Sequence, residues 1–360
     1  MARSTGRRGA GIRGREGVAG WLFTLPAIII VGVFLAIPVL MARWVSFSDW
    51  TGFGPPIGGR AQFIGLENYS DVLYLGGDRP GLSQRDFGTS IRNNFYYVLL
   101  VVPLQTALSL FLAVQVNRRL LRGKGFFRTA FYFPSVTSSI AITTVWLFLF
   151  TASGAVNQVL RFFGANGPNW FNDPSGIIHN LLGVFGIRGA PEWMSGPGFL
   201  GISGWDWISG PSVAMTALIL LAVFTTSGTF MLLFLAALQN IGAEIDEAAL
   251  MDGAGPIRKF FSVTLPMLKP TLFTVLTLGL IGTWQVFDQI YLSGGGAPGK
   301  TTLTPAFLAY QTSFKDLEWG RGAAIAFLLF AIIVLLTLLQ RFILRDRDPS
   351  TRSAAKAVVK

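Results

Sequence analysis

The stretch GGGAPGKT at residues 294–301 satisfies the phosphate-loop pattern G-x-x-x-x-G-K-[ST]. In such a loop a β-strand leads in and a helix follows, so that backbone N–H groups and the lysine hold nucleotide phosphates. Here the apolar segment ending VFDQIYL leads in, and Pro298 removes one N–H group from the loop. We therefore interpret the glycines as a turn, and we expect Lys300→Ala to leave activity nearly unchanged.

Material for other catalytic chemistry is sparse in this chain. It has no cysteine and one histidine, His179, which excludes thiolate metal sites and argues against a histidine metal site. A membrane-embedded enzyme would need His, Asp and Glu side chains that converge at one membrane face. One histidine in a loop does not offer this, so the sequence predicts no catalytic residue, no metal site and no cofactor bound by this chain.

The composition indicates a membrane protein. Of the 360 residues, 51% are hydrophobic and only 13% are charged, and the mean hydropathy is +0.53. A soluble domain of this length would need more charge on its surface, and a membrane-spanning helix needs about 20 apolar residues. The predicted fold class is an all-α membrane protein with six transmembrane helices, at residues 21–42, 94–117, 129–151, 213–238, 271–292 and 322–340.

The basic residues predict how these spans are oriented. With the N-terminus inside, the cytoplasmic segments 1–20, 118–128, 239–270 and 341–360 hold 19 Lys and Arg, against 10 in the external segments. Such an excess marks the cytoplasmic side of a membrane protein. It accounts for the net charge of +11 without nucleic acid, which would need bases and aromatics together on a soluble face. Both termini are predicted to be cytoplasmic.

Between its ends the chain reads as one membrane unit. Residues 1–20 are predicted to be a disordered basic tail, residues 21–345 the transmembrane domain, and residues 346–360 a second cytoplasmic tail. An external cap at 152–212 contains an imperfect duplication, 153–174 followed by 175–197. Each copy predicts a short amphipathic helix, a Gly/Pro turn and a tryptophan. The cap either lies on the membrane surface or docks an external partner.

Residues 239–270 form a cytoplasmic loop that contains the polar stretch DEAALMDGAGPIRKFFSVTLP, at 246–266. The helix dipole stabilises acids in the first turn of a helix, which is where we place Glu244, Asp246 and Glu247. Gly253 is predicted to end this helix with a positive φ, and a second helix then runs into the membrane. A short helix held away from the membrane suits docking into a groove on a cytoplasmic partner.

The spacing in this loop, Glu-Ala-Ala at 247–249, Gly253 and Val263-x-Leu-Pro, resembles the EAA loop of ABC importer permeases, which prefer isoleucine at position 263. FIGLENY (63–69), LRGKGFFRTAFYFP (121–134), FMLLFLAALQNI (230–241) and VFDQIYLSGGG (286–296) resemble the carbohydrate-uptake branch, and the subunit type of maltose and glycerol-3-phosphate importers within it. The resemblance implies that the ATPase-coupling residues are Glu247, Ala248, Ala249, Asp252, Gly253, Leu265 and Pro266.

The resemblance further implies a permease subunit of an ATP-driven, binding-protein-dependent sugar importer in a bacterial-type plasma membrane. A second permease subunit would form a heterodimer with this chain and complete the path. A dimer of cytoplasmic ATPase subunits would bind ATP and Mg²⁺, and an external solute-binding protein would deliver the sugar. This chain would supply half of the path and no chemistry.

Carried over from the family by position, the sugar path runs along Thr225, Thr226, Thr229, Gly282, Trp284 and Gln285. Hydroxyl and amide groups suit sugar hydroxyls, and an indole can stack on the apolar face of a sugar ring. Threonines in membrane helices also bond their own backbone, and tryptophans also pack in cores, so these alternatives stay open. Asp288 is ionisable and near the external interface, and we interpret it as structural.

The main alternative is a secondary transporter driven by an ion gradient. Such a protein is expected to bury carboxylates near the middle of the membrane. Apart from Asp288 at the edge of a span, the predicted spans contain no acidic residue. The sequence therefore favours the ATP-driven importer.

Overall fold

The computed structural model describes residues 13–59, 61–73, 84–118, 121–187, 189–196 and 198–343. Within these ranges helices are joined by turns, and β-structure is confined to two isolated bridges, Ser48–Phe63 and Gly176–Ser212. The α-helices, numbered in chain order, are α1 (Arg13–Val31), α2 (Ile37–Ser46), α3 (Glu67–Leu73), α4 (Gln84–Asn117), α5 (Lys124–Val136), α6 (Ser139–Leu149), α7 (Ala155–Phe162), α8 (Ile177–Val184), α9 (Glu192–Ser195), α10 (Gly204–Ile208), α11 (Val213–Gln239), α12 (Ala243–Met251), α13 (Pro256–Lys259), α14 (Leu265–Met267), α15 (Lys269–Trp284), α16 (Asp288–Leu292), α17 (Pro305–Tyr310) and α18 (Trp319–Ile343).

Five helical stretches are long and apolar enough to cross a membrane, and they confirm the predicted all-helical membrane fold. They are Gly20–Ser46, Asp86–Asn117, Val213–Gln239, Lys269–Leu292 and Trp319–Ile343. Each overlaps one predicted span. The second of them begins well before residue 94, because its first turns carry polar side chains and therefore lie outside the apolar run that predicts a span.

The remaining predicted span, 129–151, is not one continuous helix. It is divided into α5 and α6, whose axes are bent by 96° at a short break. Pro134 in the last turn of α5 cannot donate a backbone hydrogen bond, and Thr137 and Ser138 take extended backbone angles. The pair is therefore either one bent span or a re-entrant loop, and the first of these completes the six predicted spans.

Two other irregularities coincide with prolines. π-helical segments occupy Gly32–Ala36 and Phe260–Thr264. Pro38 and Pro266 follow these segments, and neither can donate the backbone hydrogen bond to the carbonyl four residues earlier. A π-helical turn accommodates the lost bond while the helix continues, so α1 and α2 form a single span.

The N-terminal tail is shorter than predicted. Helix α1 begins at Arg13, so residues 13–20 of the predicted disordered tail are helical. This extension includes Gly14, Gly17 and Gly20, so it runs against the local helical propensity on which the predicted tail rested. Residues 1–12 and the predicted second tail at 346–360 lie outside the described residues.

Helix α11 is the centre of the bundle and packs along α4, α5 and α15. One buried cluster joins α4, α11 and α15 to α17 and α18, with Tyr97, Met215, Phe307 and Ile325 almost fully enclosed. The span formed by α1 and α2 packs against α18, and no residue of its most apolar window is buried. This first span therefore presents its side chains to lipid or to another subunit.

We predict that Gly228→Ala weakens the packing of α11 on α5. A Cβ at residue 228 would lie 2.3 Å from the carbonyl oxygen of Phe131. Because this oxygen belongs to the backbone, it can move away only if α5 is displaced. Overpacking costs about 1–3 kcal/mol, against a gain of up to about 1 kcal/mol in helix propensity, so thermal unfolding of the purified protein in detergent should occur at lower temperature. Gly125→Ala is the control, because nothing lies within 4 Å of its added Cβ. Equal unfolding temperatures for both variants would contradict the close contact.

Candidate coupling surface and solute path

Helix α12 forms the centre of the polar loop that is predicted to be cytoplasmic, and it ends in a glycine cap. Gly253 has a φ of +71°, as the sequence predicts. The N–H of Ala254 donates to the carbonyl of Ala249 at 3.0 Å, the bond that closes a Schellman cap. The residue at such a cap position is strained when it carries a side chain. Gly253 therefore sets both the end of α12 and the direction in which the chain leaves it.

The predicted coupling residues form one accessible surface. Glu247, Ala248, Asp252 and Gly253 are exposed, and no atom of this chain lies within 4 Å of a Cβ built on Gly253. Ala249 is the exception, since only 7% of it is exposed and it faces this chain. Of the other two predicted residues, Leu265 is half-buried and Pro266 is exposed at the start of α14.

The placement of one acid differs from the sequence analysis. Helix α12 begins at Ala243, so Glu244 and Asp246 are in its first turn but Glu247 is in the second. The stabilising effect of the helix dipole is confined to the first turn. Glu247 therefore contributes little to the helix itself, and its exposed carboxylate is available to a partner.

A basic groove that the sequence analysis missed adjoins this surface. A cavity of about 950 Å³ lies between the C-terminal ends of α4 and α11, the start of α5, and the segment from α13 to Phe261. Arg118, Lys124 and Lys259 line it, and its described lining contains no acidic residue. The sequence signal was present as the dense run of bases at 118–128, but it was interpreted only as a marker of orientation.

A second cavity, of about 290 Å³, lies inside the bundle between α4, α11, α15 and the start of α16. Three of the six predicted path residues line this cavity together: Thr226, Gly282 and Gln285. They come from two helices that are far apart in the sequence. The structure thus brings half of the predicted path residues to one space, which we call the inner cavity.

Thr225 and Thr229 are placed elsewhere, at the contact between α11 and α5. The Thr225 hydroxyl donates to the carbonyl of Leu221 in its own helix, at 3.0 Å. Ser135 of α5 donates its hydroxyl to the carbonyl of Thr225 at 2.6 Å and accepts the N–H of Thr229 at 3.2 Å. The structure thus shows the alternative for Thr225, a threonine that hydrogen-bonds the backbone of its own helix.

Trp284 does not line the inner cavity. Its side chain is 3% exposed within the main buried cluster, and Asn94 of α4 donates to its backbone carbonyl at 3.2 Å. The expectation that this indole stacks on a sugar is therefore wrong for this structure. The helix face that carries Trp284 meets α4, so the ring packs in the core.

Several residues line the inner cavity that were not assigned to the path. Tyr97 and Gln105 come from α4, and Asp288 begins α16, where its side chain is exposed. Asp288 was interpreted as structural because it is near the end of a span, but it lies on the cavity wall. Gln105 had a visible signal, since it is the one amide in the apolar run VVPLQTALSL.

The loop that resembles a phosphate loop is held against α4 by an ion pair and two hydrogen bonds. Helix α16 precedes it, and the Lys300 ammonium lies 2.7 Å from the carboxylate of Asp86, which is 7% exposed. Asn93 donates its amide to the carbonyl of Lys300 at 2.8 Å and to that of Leu303 at 3.0 Å. The lysine thus points to a carboxylate, and its removal would leave that carboxylate buried. The expectation that Lys300→Ala leaves activity nearly unchanged stays a prediction, and the pairing adds an expected loss of stability.

The duplication in the cap produces two matching helices, as predicted. Both α7 and α8 contain eight residues. Each is followed by a glycine of positive φ, Gly164 or Gly186, and by the same cap hydrogen bond. The copies differ in their tryptophans, because Trp170 donates to Asn157 at 2.8 Å whereas Trp193 is 82% exposed. The second copy thus offers an aromatic surface that the first one covers.

Comparisons with known proteins agree with this architecture. Residues 105–348 match the family described as binding-protein-dependent transport system inner membrane component. The chain is 30% identical to the lactose transport system permease protein LacF of Rhizobium radiobacter, covering 92% of this chain and 95% of that protein. It is also 30% identical to the trehalose/maltose transport system permease protein MalF of Thermococcus litoralis, covering 90% and 92%.

The fold has a counterpart among solved structures. A crystal structure of a bacterial ABC transporter involved in the import of the acidic polysaccharide alginate contains a chain that superposes with a TM-score of 0.67. The aligned part covers 92% of this chain and 96% of that chain, at 18% identity. The likeness extends over nearly the whole helical bundle.

We predict that Lys300→Ala lowers stability without any effect that involves nucleotide. The Asp86 carboxylate would lose its partner at a cost of about 1–2 kcal/mol, less than the roughly 3–5 kcal/mol of a fully buried pair because Lys300 is itself largely exposed. Adding Asp86→Asn to Lys300→Ala removes the unpaired charge and should restore most of the lost stability. The measurement is the unfolding temperature of the purified protein in detergent. Labelling of residues 294–301 by azido-ATP, abolished by Lys300→Ala, would contradict this account.

Proposed function

The chain belongs to the family of binding-protein-dependent transport system inner membrane components, and from this premise we propose that it is a permease subunit of an ATP-driven sugar importer. The observation that carries the proposal is α12, a short, accessible helix whose end is set by Gly253 and whose sequence matches the coupling motif. Relatives named for lactose and for trehalose and maltose support a sugar as the solute.

In this proposal α12 docks on a cytoplasmic ATPase, which binds ATP and Mg²⁺ and performs all of the hydrolysis. Glu247, Ala248, Asp252 and Gly253 offer the contact because they are exposed. The adjoining basic groove would receive an acidic segment of the ATPase, since opposite charges steer and orient association. From Gly253 the chain passes through α13 and α14 into α15, whose far end lines the inner cavity. Movement of α12 would thus reach the solute path.

The wall of the inner cavity favours an uncharged sugar. Thr226, Gln105, Gln285 and Gln289 supply hydroxyl and amide groups, and Tyr97 supplies an aromatic ring. Asp288 is the charged residue among the described lining, and no Lys or Arg is there. An acidic sugar would meet a like charge with no compensating base from this chain, and like-charge contact disfavours binding.

Two further partners complete the proposal. A second permease subunit would cover the span formed by α1 and α2, which is otherwise unburied, and would supply the other half of the path. An external solute-binding protein would dock on the cap between α6 and α11, where the second copy of the duplication exposes Trp193. The alternative is a cap that rests on the membrane surface. Cross-linking of Trp193→Cys to the binding protein would support docking, and its absence would support the membrane-surface alternative.

One observation favours the ion-gradient alternative, which is that Asp288 lies on the cavity wall. A carboxylate in a solute cavity is the group that a proton-coupled transporter would use. The two mechanisms differ in their energy source. Uptake into cells treated with a protonophore but supplied with ATP should persist under our proposal, and Asp288→Asn should retain ATP dependence.

For the coupling helix, we predict that Gly253→Ala and Glu247→Lys reduce uptake about tenfold or more while the permease still reaches the membrane. Gly253→Ala strains a left-handed backbone and redirects the chain, and Glu247→Lys reverses an exposed charge. Gly255→Ala is the matched control for the first, because Gly255 is equally open but has a φ of −63°. Glu244→Lys is the control for Glu247→Lys. It reverses a charge in the first turn of α12, where the helix dipole acts more strongly than at Glu247.

The measurements are sugar uptake, pull-down of the ATPase, and ATP hydrolysis stimulated by the loaded binding protein. Uptake should fall together with ATPase association or with the stimulated hydrolysis, and it should fall less in both controls. Normal uptake with a normal complex in Gly253→Ala and Glu247→Lys would show that α12 is only a structural loop.

The orientation gives a separate prediction, because the absence of cysteine allows single cysteines to be introduced. Arg122→Cys and Gly255→Cys should be protected from an impermeant maleimide in intact cells, whereas Ala190→Cys and Ala297→Cys should react. If α5 and α6 formed a re-entrant loop instead of one bent span, positions 122 and 190 would lie on the same side of the membrane and would react alike. Labelling at 255 from outside would contradict the cytoplasmic coupling loop.

A further inference from the structure

We infer that Gln105 is a specificity-determining residue of the inner cavity and hydrogen-bonds a hydroxyl group of the transported solute. The inference rests on the proposed function, because it names a contact within the same path. It concerns a residue of α4, a helix that the sequence analysis did not connect with the solute. The residues that carry it are Gln105, Thr226 and Gly279.

The amide of Gln105 is buried but only half satisfied. The residue is 0% exposed, and its Oε1 lies 2.6 Å from the Thr226 hydroxyl. Its Nε2 has no hydrogen-bond partner among the described residues, although it lies where the wall of the inner cavity is formed. Buried polar groups in proteins are nearly always hydrogen-bonded, so such an exception points to a ligand or another unseen partner.

The neighbouring hydroxyl makes this conclusion independent of which way the amide is turned. Thr226 has a single hydroxyl proton, yet its oxygen lies 2.6 Å from Gln105 and 2.7 Å from the carbonyl of Ala222. If the proton goes to Ala222, the Thr226 oxygen accepts from the amide nitrogen and Oε1 becomes the free atom. In either orientation one end of the amide lacks a partner. A solute hydroxyl can satisfy both cases, because it donates and accepts.

Gly279 of α15 makes room for this amide. A Cβ at residue 279 would lie 2.3 Å from Nε2 of Gln105, and the next side-chain atom is 3.6 Å away. A glycine within a membrane helix lets a neighbouring group come close. The absent side chain thus places the free end of the amide directly between α4 and α15, at the inner cavity. Three residues from three helices hold one unsatisfied amide in position.

The chemistry of the group indicates the class of solute. An uncharged amide discriminates little between charges, but a site built to bond a hydroxyl rejects an analogue that lacks it, because its own buried group is then unpaired. The inferred ligand is therefore a polyhydroxylated molecule, and Gln105 hydrogen-bonds one of its hydroxyl groups. A purely structural role would require the amide to be satisfied within the protein.

The test uses the complete transporter reconstituted with its ATPase and binding protein in proteoliposomes. Radiolabelled lactose, maltose, trehalose and arabino-oligosaccharide are first offered to the wild type, and the one transported is taken as the probe. Uptake of this sugar is then compared with uptake of its monodeoxy analogues, each lacking one hydroxyl, in the wild type and in Gln105→Met. Methionine keeps the volume of the side chain and removes the amide.

We expect the wild type to discriminate against one monodeoxy analogue by about threefold to tenfold, the range for one uncharged hydrogen bond. Gln105→Met should lose that discrimination and treat the parent sugar and this analogue alike. Gly279→Ala, which displaces the amide without removing it, should reduce the same discrimination. Gly125→Ala should leave it unchanged, since its added Cβ meets open space.

Two outcomes would overturn the proposals, and they are distinguishable. If Gln105→Met transports every analogue in the same ratio to the parent sugar as the wild type does, Gln105 is not a specificity residue, although the sugar importer stands. Altered assembly or unfolding temperature together with unchanged ratios would likewise assign Gln105 a structural role. If none of the offered sugars is transported by the wild type, the sugar proposal itself fails.

Discussion

An apolar bundle offers no water to polar groups, so each break in a helix and each buried amide must be satisfied by the protein or by what it binds. The chain meets this constraint with π-helical turns ahead of Pro38 and Pro266 and with the pairing of Lys300 and Asp86. Ser135 bonds two backbone groups of α11. Of the ten buried side-chain atoms without a hydrogen-bond partner among the described residues, Nε2 of Gln105 is the one whose residue lines the inner cavity.

The same constraint connects the two candidate sites. Helices that satisfy their own backbone move as units, so in the proposed mechanism a displacement of α12 would be carried through α14 to α15. The far end of α15 lines the inner cavity with Gly282 and Gln285. The cytoplasmic contact and the solute path are thus two ends of one connected segment, 243–285. A loop without regular structure between them would dissipate the displacement.

Local features were predictable from the sequence and tertiary ones were not. The spans follow from apolar length, and the positive φ of Gly253 follows from its place after a helix that must end. The side on which Trp284 packs could not be inferred, because a helix that is apolar all round carries no periodicity to mark its buried face. The role of Gln105 depends on how closely α15 approaches at Gly279, a contact between helices that no local sequence pattern marks.

The central claim is that α12 moves with an ATPase to drive the path, and cross-linking tests it most directly. Met251 at the end of α12 is 89% exposed, and the chain has no native cysteine. Met251→Cys, paired with single cysteines along the groove of the ATPase, should form a disulfide in the assembled complex. This disulfide should block sugar uptake until it is reduced. A cross-linked complex that still transports at the full rate would contradict the claim, as would failure of every pair to cross-link in an active complex.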